Sequence, residues 1–138
     1  MAPAYLVDNS ALARLRHPSV AARLLPMLEA GEVGISGVLE LEVLYSARSH
    51  ADFLAIRTEL RGYPRLQLDE TDFARAADVM ELLARRGQHR AAGLPDLLQA
   101  AIAERSGVTL LHYDADFDLV ALATGQPAEW VVPRGSVP

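Results

Sequence analysis

Residues 90–118 read RAAGLPDLLQAAIAERSGVTLLHYDADFD, and this stretch decides the fold. Pro95 suits the first turn of a helix, and Asp96 sits in that turn. Leu97, Leu98, Ala100, Ala101, Ile102 and Ala103 follow, apolar nearly all round, so the helix over 94–105 is a buried one. Gly107 closes it. Val108-Thr109-Leu110-Leu111-His112 then reads as a buried strand and ends at Asp114. A buried helix returning into a buried strand is half of a parallel β–α–β unit.

Working outward, the same alternation repeats. Tyr5-Leu6-Val7 is a short apolar run that ends at Asp8. Helices follow over 10–16 and 19–30, then a strand over 33–36. Two more helices span 38–47 and 52–61, and Arg65–Leu68 is a brief strand-like alternation. A long helix covers 71–86, with Gly87 after it. After the central stretch come a helix over 116–123 and a last strand over 130–132. Five short strands separated by helices pair in parallel through right-handed crossovers, giving an α/β protein with a three-layer α/β/α sandwich. No repeat or linker interrupts residues 1–138, so one domain is expected.

Composition narrows the function. The 138 residues are 51% hydrophobic and 22% charged, a globular ratio. There is no Cys, which excludes thiolate-metal and disulfide scaffolds and fits a reducing cytoplasm. All 13 basic residues are Arg. The absence of Lys excludes Walker-A phosphate binding, Schiff-base chemistry and the lysine of receiver domains. Gly31, Gly34 and Gly37 match neither phosphate-loop spacing. The four histidines share no metal-ligand spacing. A net charge of −5 means that nucleic acid would be held by a local basic patch or a cation. No leader peptide or membrane span is legible, so a cytoplasmic protein is expected. The tail PRGSVP resembles a linker but runs straight out of a strand, and reads as native chain.

The acids carry the chemistry. Asp8 and Asp114 each end an apolar strand, and in open parallel sheets ligands sit beyond such ends. Asp96 opens a buried helix, where an unpaired charge is costly. In GVLELEVLYSAR, Glu42 lies 40° from Val38 on the stripe of Val38, Leu41 and Tyr45, whereas Glu40 falls at 200° and reads as solvated. Asp116 and Asp118 stand near a helix start. Each acid alone also reads as a cap or a rim residue; Asp52, Asp69, Asp72 and Asp78 read as caps or solvated positions. Several carboxylates in one crevice repel one another unless a cation neutralises them, and an all-oxygen set suits Mg²⁺ or Mn²⁺. Such an ion activates water for attack on a phosphodiester. Arg85, Arg86 and Arg90 form the densest basic run and are candidate phosphate contacts, with Arg14 in a second patch near Asp8.

Taken in order, these segments resemble the PIN-domain ribonucleases, and within them the VapC-type toxins of toxin–antitoxin pairs. YLVDNSALARL resembles the first acidic motif, with Asp8 and a supporting Ser10. ISGVLELEVLYSAR resembles the second, with Glu42 at the family glutamate. RAAGLPDLLQAAIAERSGVTLLHYDADFD resembles the third and fourth, with Asp96 and Asp114 in metal-linked positions and Asp116 as an additional acid. The ending TGQPAEWVVP is also similar. The resemblance implies a five-stranded parallel sheet in order 3-2-1-4-5. It further implies Mg²⁺-dependent endoribonuclease activity, with Asp8, Glu42, Asp96 and Asp114 on the metal and Asp116 beside them. It implies a homodimer, and a VapB-type antitoxin bound in a heterotetramer or larger assembly. Two alternatives stay open: a phosphohydrolase, disfavoured because Asn9-Ser10 follows Asp8 where a second Asp is needed two residues on, and a non-catalytic PIN module.

Overall fold

The computed structural model describes residues 2–138. In chain order the elements are β1 (Tyr5–Val7), α1 (Asn9–Leu12), α2 (Pro18–Glu29), β2 (Val33–Gly34), α3 (Gly37–Tyr45) and α4 (His50–Leu60). There follow α5 (Glu70–Ala84), α6 (Leu94–Ser106), β3 (Thr109–His112), α7 (Asp116–Thr124) and β4 (Ala128–Trp130). The strands form a parallel sheet in the order β2-β1-β3-β4.

The period of two along each strand makes the layers. Leu6 and Leu110 are paired in register and enter one core, with Val79 and Leu83 of α5, Ile102 of α6 and Phe117 of α7. Their neighbours Val7 and Leu111, also paired, enter the other core with Val20 and Leu24 of α2, Leu39 of α3 and Leu60 of α4. The α/β/α expectation therefore holds.

The strand count differs from the five expected. Residues 65–68 contribute a single parallel bridge, Ile35 to Arg65, outside β2. The spatial order 3-2-1-4-5 survives, but its first member is reduced to that bridge. Leu66 still packs into the core, while Leu68 is exposed. The cause lies in β2. Its chain turns into α3 at Ser36, so an outer strand finds one residue to pair with. The last strand also shifts, from 130–132 to Ala128–Trp130, although the Val131 amide continues the ladder by donating to the His112 carbonyl at 2.8 Å.

Glycine closes two helices where the chain must turn into the sheet. Gly107 after α6 has φ +68° and Gly125 after α7 has φ +75°, the left-handed region that side chains rarely adopt. Asp72 corrects another expectation. It completes the capping box at the start of α5 but is neither solvated nor only a cap. It is 1% exposed and takes Arg105 of α6 in a two-point pair, at 2.8 and 3.0 Å. Among the described residues no helix is long and apolar enough to cross a membrane.

Candidate active site

Because all strands are parallel, their carboxyl ends share one edge, and the acids gather there. Asp8 follows β1 directly and is buried. Its amide continues the ladder to the Leu111 carbonyl at 2.9 Å, and its Oδ2 caps α1 by accepting from the Ser10 amide at 2.9 Å. Ser10 in turn accepts the Tyr113 amide on its Oγ at 2.9 Å, tying the end of β1 to the end of β3. Asp114 accepts the Asp116 amide at 2.9 Å, so it does the capping at the start of α7 and leaves the Asp116 side chain free of that duty.

Asp96, Asp114 and Asp116 offer carboxylate oxygens that all lie within 4.8 Å of one another. Asp96 is the hub. Burial pushes its carboxyl up to about 7, and the charges of Asp8, Asp114, Glu42 and Asp116 push the same way. Glu42 is raised by burial and then by Asp8. Asp116 is raised by burial and then by Asp114. The five acids thus act on one another across one crevice. Asp116, set beside the metal-linked residues by the sequence reading, is here a member of the tight trio.

The stripe expected to flank Glu42 is not the inward face of α3. Leu41 and Tyr45 do not face inward; they are 70% and 94% exposed, while Leu39 and Leu44 are the buried residues of α3. Nor is Glu40 solvated: it accepts from Arg65 Nη2 at 2.5 Å, with its side chain 19% exposed.

The donor set fits a hard cation. Asp8 Oδ1 and Glu42 Oε1 are buried acceptors without a hydrogen-bond partner. Among the described residues, no Arg or His side chain forms an ion pair with any of the five acids. Carboxylates crowded this way, with acceptors pointing into the crevice and no protein cation, suit an oxygen-ligated divalent ion.

Three elements of the site are joined by a residue that periodicity does not reveal. Gln99, one turn after Asp96 and fully buried, accepts from the Ser36 hydroxyl and donates to the Val7 carbonyl at 3.4 Å. Ser36 caps α3, the helix of Glu42, and Val7 precedes Asp8. Gln99→Leu should therefore destabilise by about 1–3 kcal/mol, because it strands buried partners. A chemical-denaturation midpoint equal to that of the parent would contradict this. His112 is also buried. Its Nδ1 accepts the Asp114 amide at 3.1 Å, and burial holds its pKa below the usual value, so a neutral ring orients the turn carrying Asp114.

The predicted phosphate contacts form no ion pair with this cluster among the described residues. Arg85 is exposed and pairs loosely with Glu81 at 3.3 Å; Arg86 and Arg90 are exposed and have no acid partner among the described residues. Arg14 lies next to the site, its Nη1 donating to the Ser10 carbonyl at 2.6 Å.

The PIN domain family model matches residues 5–122. The chain belongs to the PIN-domain family. Within the family it groups with the VapC proteins. It is 42% identical to ribonuclease VapC51 of Mycobacterium tuberculosis over 99% of both chains. It is 43% identical to ribonuclease VapC18 of the same organism, over 96% of this chain and 98% of that one. The fold matches that in a DNA-bound VapBC crystal structure from Salmonella typhimurium, with a TM-score of 0.75 at 18% identity, covering 96% of this PIN chain and 100% of its counterpart.

Proposed function

We propose that this PIN domain is a Mg²⁺- or Mn²⁺-dependent endoribonuclease, the toxin of a toxin–antitoxin pair. The observation that carries the reading is the crevice of five carboxylates with unpartnered buried oxygens and no protein cation. The VapC relatives bearing ribonuclease names support the choice of RNA. Asp8, Glu42, Asp96 and Asp114 would hold the ion, with Asp116 beside them. When bound, the ion supplies a Lewis acid for the phosphodiester and lowers the pKa of its water.

The chain's own groups prepare that chemistry. Ser10 and His112 hold the two strand ends that carry Asp8 and Asp114. With its carboxyl raised to about 7, Asp96 is only partly ionised near neutral pH, which lowers the charge of the empty crevice. A VapB-type antitoxin and a second copy of the chain are the expected partners, in a cytoplasmic complex.

The test is incubation of the purified protein with total RNA, with Mg²⁺, with Mn²⁺ and with chelator, followed by mapping of the cut ends. Discrete cuts that need the metal are expected. Intact RNA in the presence of bound metal would make the protein a binding module instead.

Grip on the RNA is predicted to come from Arg85, Arg86 and Arg90. Removing one arginine–phosphate pair should flatten the log–log salt dependence of binding by about 0.7 for single strands. Alanine at all three, in a cleavage-silent Asp96→Asn protein, should reduce the slope by about 2. An unchanged slope would leave them as a helix end only.

A further inference from the structure

A second feature adjoins the acids. A cleft of about 420 Å³ is lined by Asp114, Tyr113 and Trp130, within the usual size range of small-ligand sites. Its far wall is the segment after β4: the Tyr113 hydroxyl donates to the Val137 carbonyl at 2.7 Å, and Arg14 Nε donates to the Pro138 carbonyl at 2.9 Å.

Two guanidinium groups rim it, each over an aromatic ring. Arg14 Cζ is 4.6 Å from the Tyr113 centroid, and Arg134 Cζ is 5.6 Å from that of Trp130. Six of the 13 arginines have a side-chain carboxylate partner; among the described residues, Arg14 and Arg134 are two of the seven that have none. Two such cations lining one cleft, in a protein of net charge −5, call for an anion. The ring between them is rigid. Trp130 Nε1 donates to Asp118 Oδ1 at 3.2 Å, and the indole packs on His112 and edge-on against Tyr113, with centroids 5.1 and 5.2 Å apart. Pairing of His112 with Trp130 between β3 and β4 brings the indole to the edge that carries Asp114.

We propose that this cleft is a nucleotide subsite: Trp130 stacks one unpaired base next to the scissile position, and Arg14 and Arg134 hold an adjoining phosphate. The proposal rests on the ribonuclease reading and names how its substrate is gripped. Arg134 is exposed and bound by no ion pair, so a base displaces it from the indole face at the cost of one cation–π interaction, and its charge stays beside the phosphate. Every base has a π-face, so the subsite selects an unpaired nucleotide and tolerates its identity.

Trp130 is the sole tryptophan, so its emission reports on this cleft alone. The probe is hexauridylate, titrated in chelator into the wild-type protein and Arg134→Ala, with inorganic phosphate as control. Saturable quenching by the oligonucleotide is expected, with affinity about tenfold weaker in Arg134→Ala and phosphate without effect. In cleavage assays with Mg²⁺, Arg134→Ala should raise KM about tenfold and leave kcat within about threefold. Equal quenching by phosphate would reduce the cleft to an anion site and overturn the stacking. Unchanged emission with unchanged KM would overturn the subsite and leave the ribonuclease reading standing. Quenching without any metal-dependent cleavage would sink the ribonuclease reading and leave a nucleotide-binding cleft.

Discussion

Asp96→Asn will remove RNA cleavage and raise the melting temperature of the metal-free protein. Both changes follow from one carboxyl. Asp96 is pushed from an ordinary value of 3.8 to about 7 by burial and by four neighbouring acids. A group whose folded pKa is raised binds its proton more tightly in the native state. The stability it contributes is full below about 3.8 and is lost as the pH rises through about 7. The metal-free parent should therefore melt progressively lower between pH 5 and pH 8 (roughly the span of that shift). The Asn variant cannot ionise and keeps its neighbours' repulsion lower. At pH 8 it should melt about 2–5 °C above the parent, the shift that ~1 kcal/mol produces in a domain of this size. Mg²⁺ reverses the ranking. It binds the native state only and competes with the proton, so it should raise the parent's melting temperature more at pH 8 than at pH 5.5. The variant should lose most of that response. Cleavage should fall at least about 100-fold, since loss of even an outer partner of a metal ligand costs 10–100-fold. Melting curves at the two pH values, with and without Mg²⁺, give all four numbers. A variant that cleaves at the parental rate, or that melts below the parent without metal, would remove Asp96 from the centre of the cluster.

The candidate site was legible wherever one residue's local setting carried the information. Asp8 and Asp114 end apolar runs, and a parallel sheet puts such ends on one edge. Asp96 stands in the first turn of a helix too apolar to be exposed. Gly107 and Gly125 mark helix ends that only a left-handed residue completes. The rest depended on partners far along the chain. Arg65–Leu68 alternates like a strand, but strand length is set by the neighbour, and β2 stops at Gly34. Gln99 looks like one polar position on an apolar helix; its role appears only with Ser36 and Val7 beside it. Asp72 looks like a cap until Arg105, 33 residues later, is placed against it. In α3, six of nine residues are apolar, so periodicity cannot choose a face. Both the stripe of Val38, Leu41 and Tyr45 and the family motif point to Glu42; the exposure of Leu41 and Tyr45 leaves the motif alone to carry that assignment.

That helix yields the sharpest contrast between neighbouring residues. Glu42→Gln should lower cleavage at least about 100-fold, the effect expected for a metal-linked carboxylate. Glu40→Gln should leave cleavage within about threefold. Two residues apart on a helix is 200° of rotation, so both carboxylates cannot enter one crevice. Glu42 Oε1 is buried without a partner, and the Asp8 charge helps to raise its pKa. Glu40 is engaged elsewhere, in the half-buried pair with Arg65 that fastens the outermost bridge of the sheet. The two variants should therefore fail in different assays. Glu40→Gln keeps size but loses the charge facing Arg65, for a stability loss of about 1 kcal/mol or less. Glu42→Gln removes one of the repelling charges and offers an amide donor toward Asp8, so its metal-free fold should be at least as stable as the parent. Cleavage rates at equal Mg²⁺, set beside denaturation midpoints in chelator, separate the two roles. Equal losses of cleavage would mean that α3 is rotated about its axis so that Glu40 shares the crevice. A cleavage loss in Glu42→Gln that tracks a loss of stability would make Glu42 a structural residue, and leave the ion to Asp8, Asp96, Asp114 and Asp116.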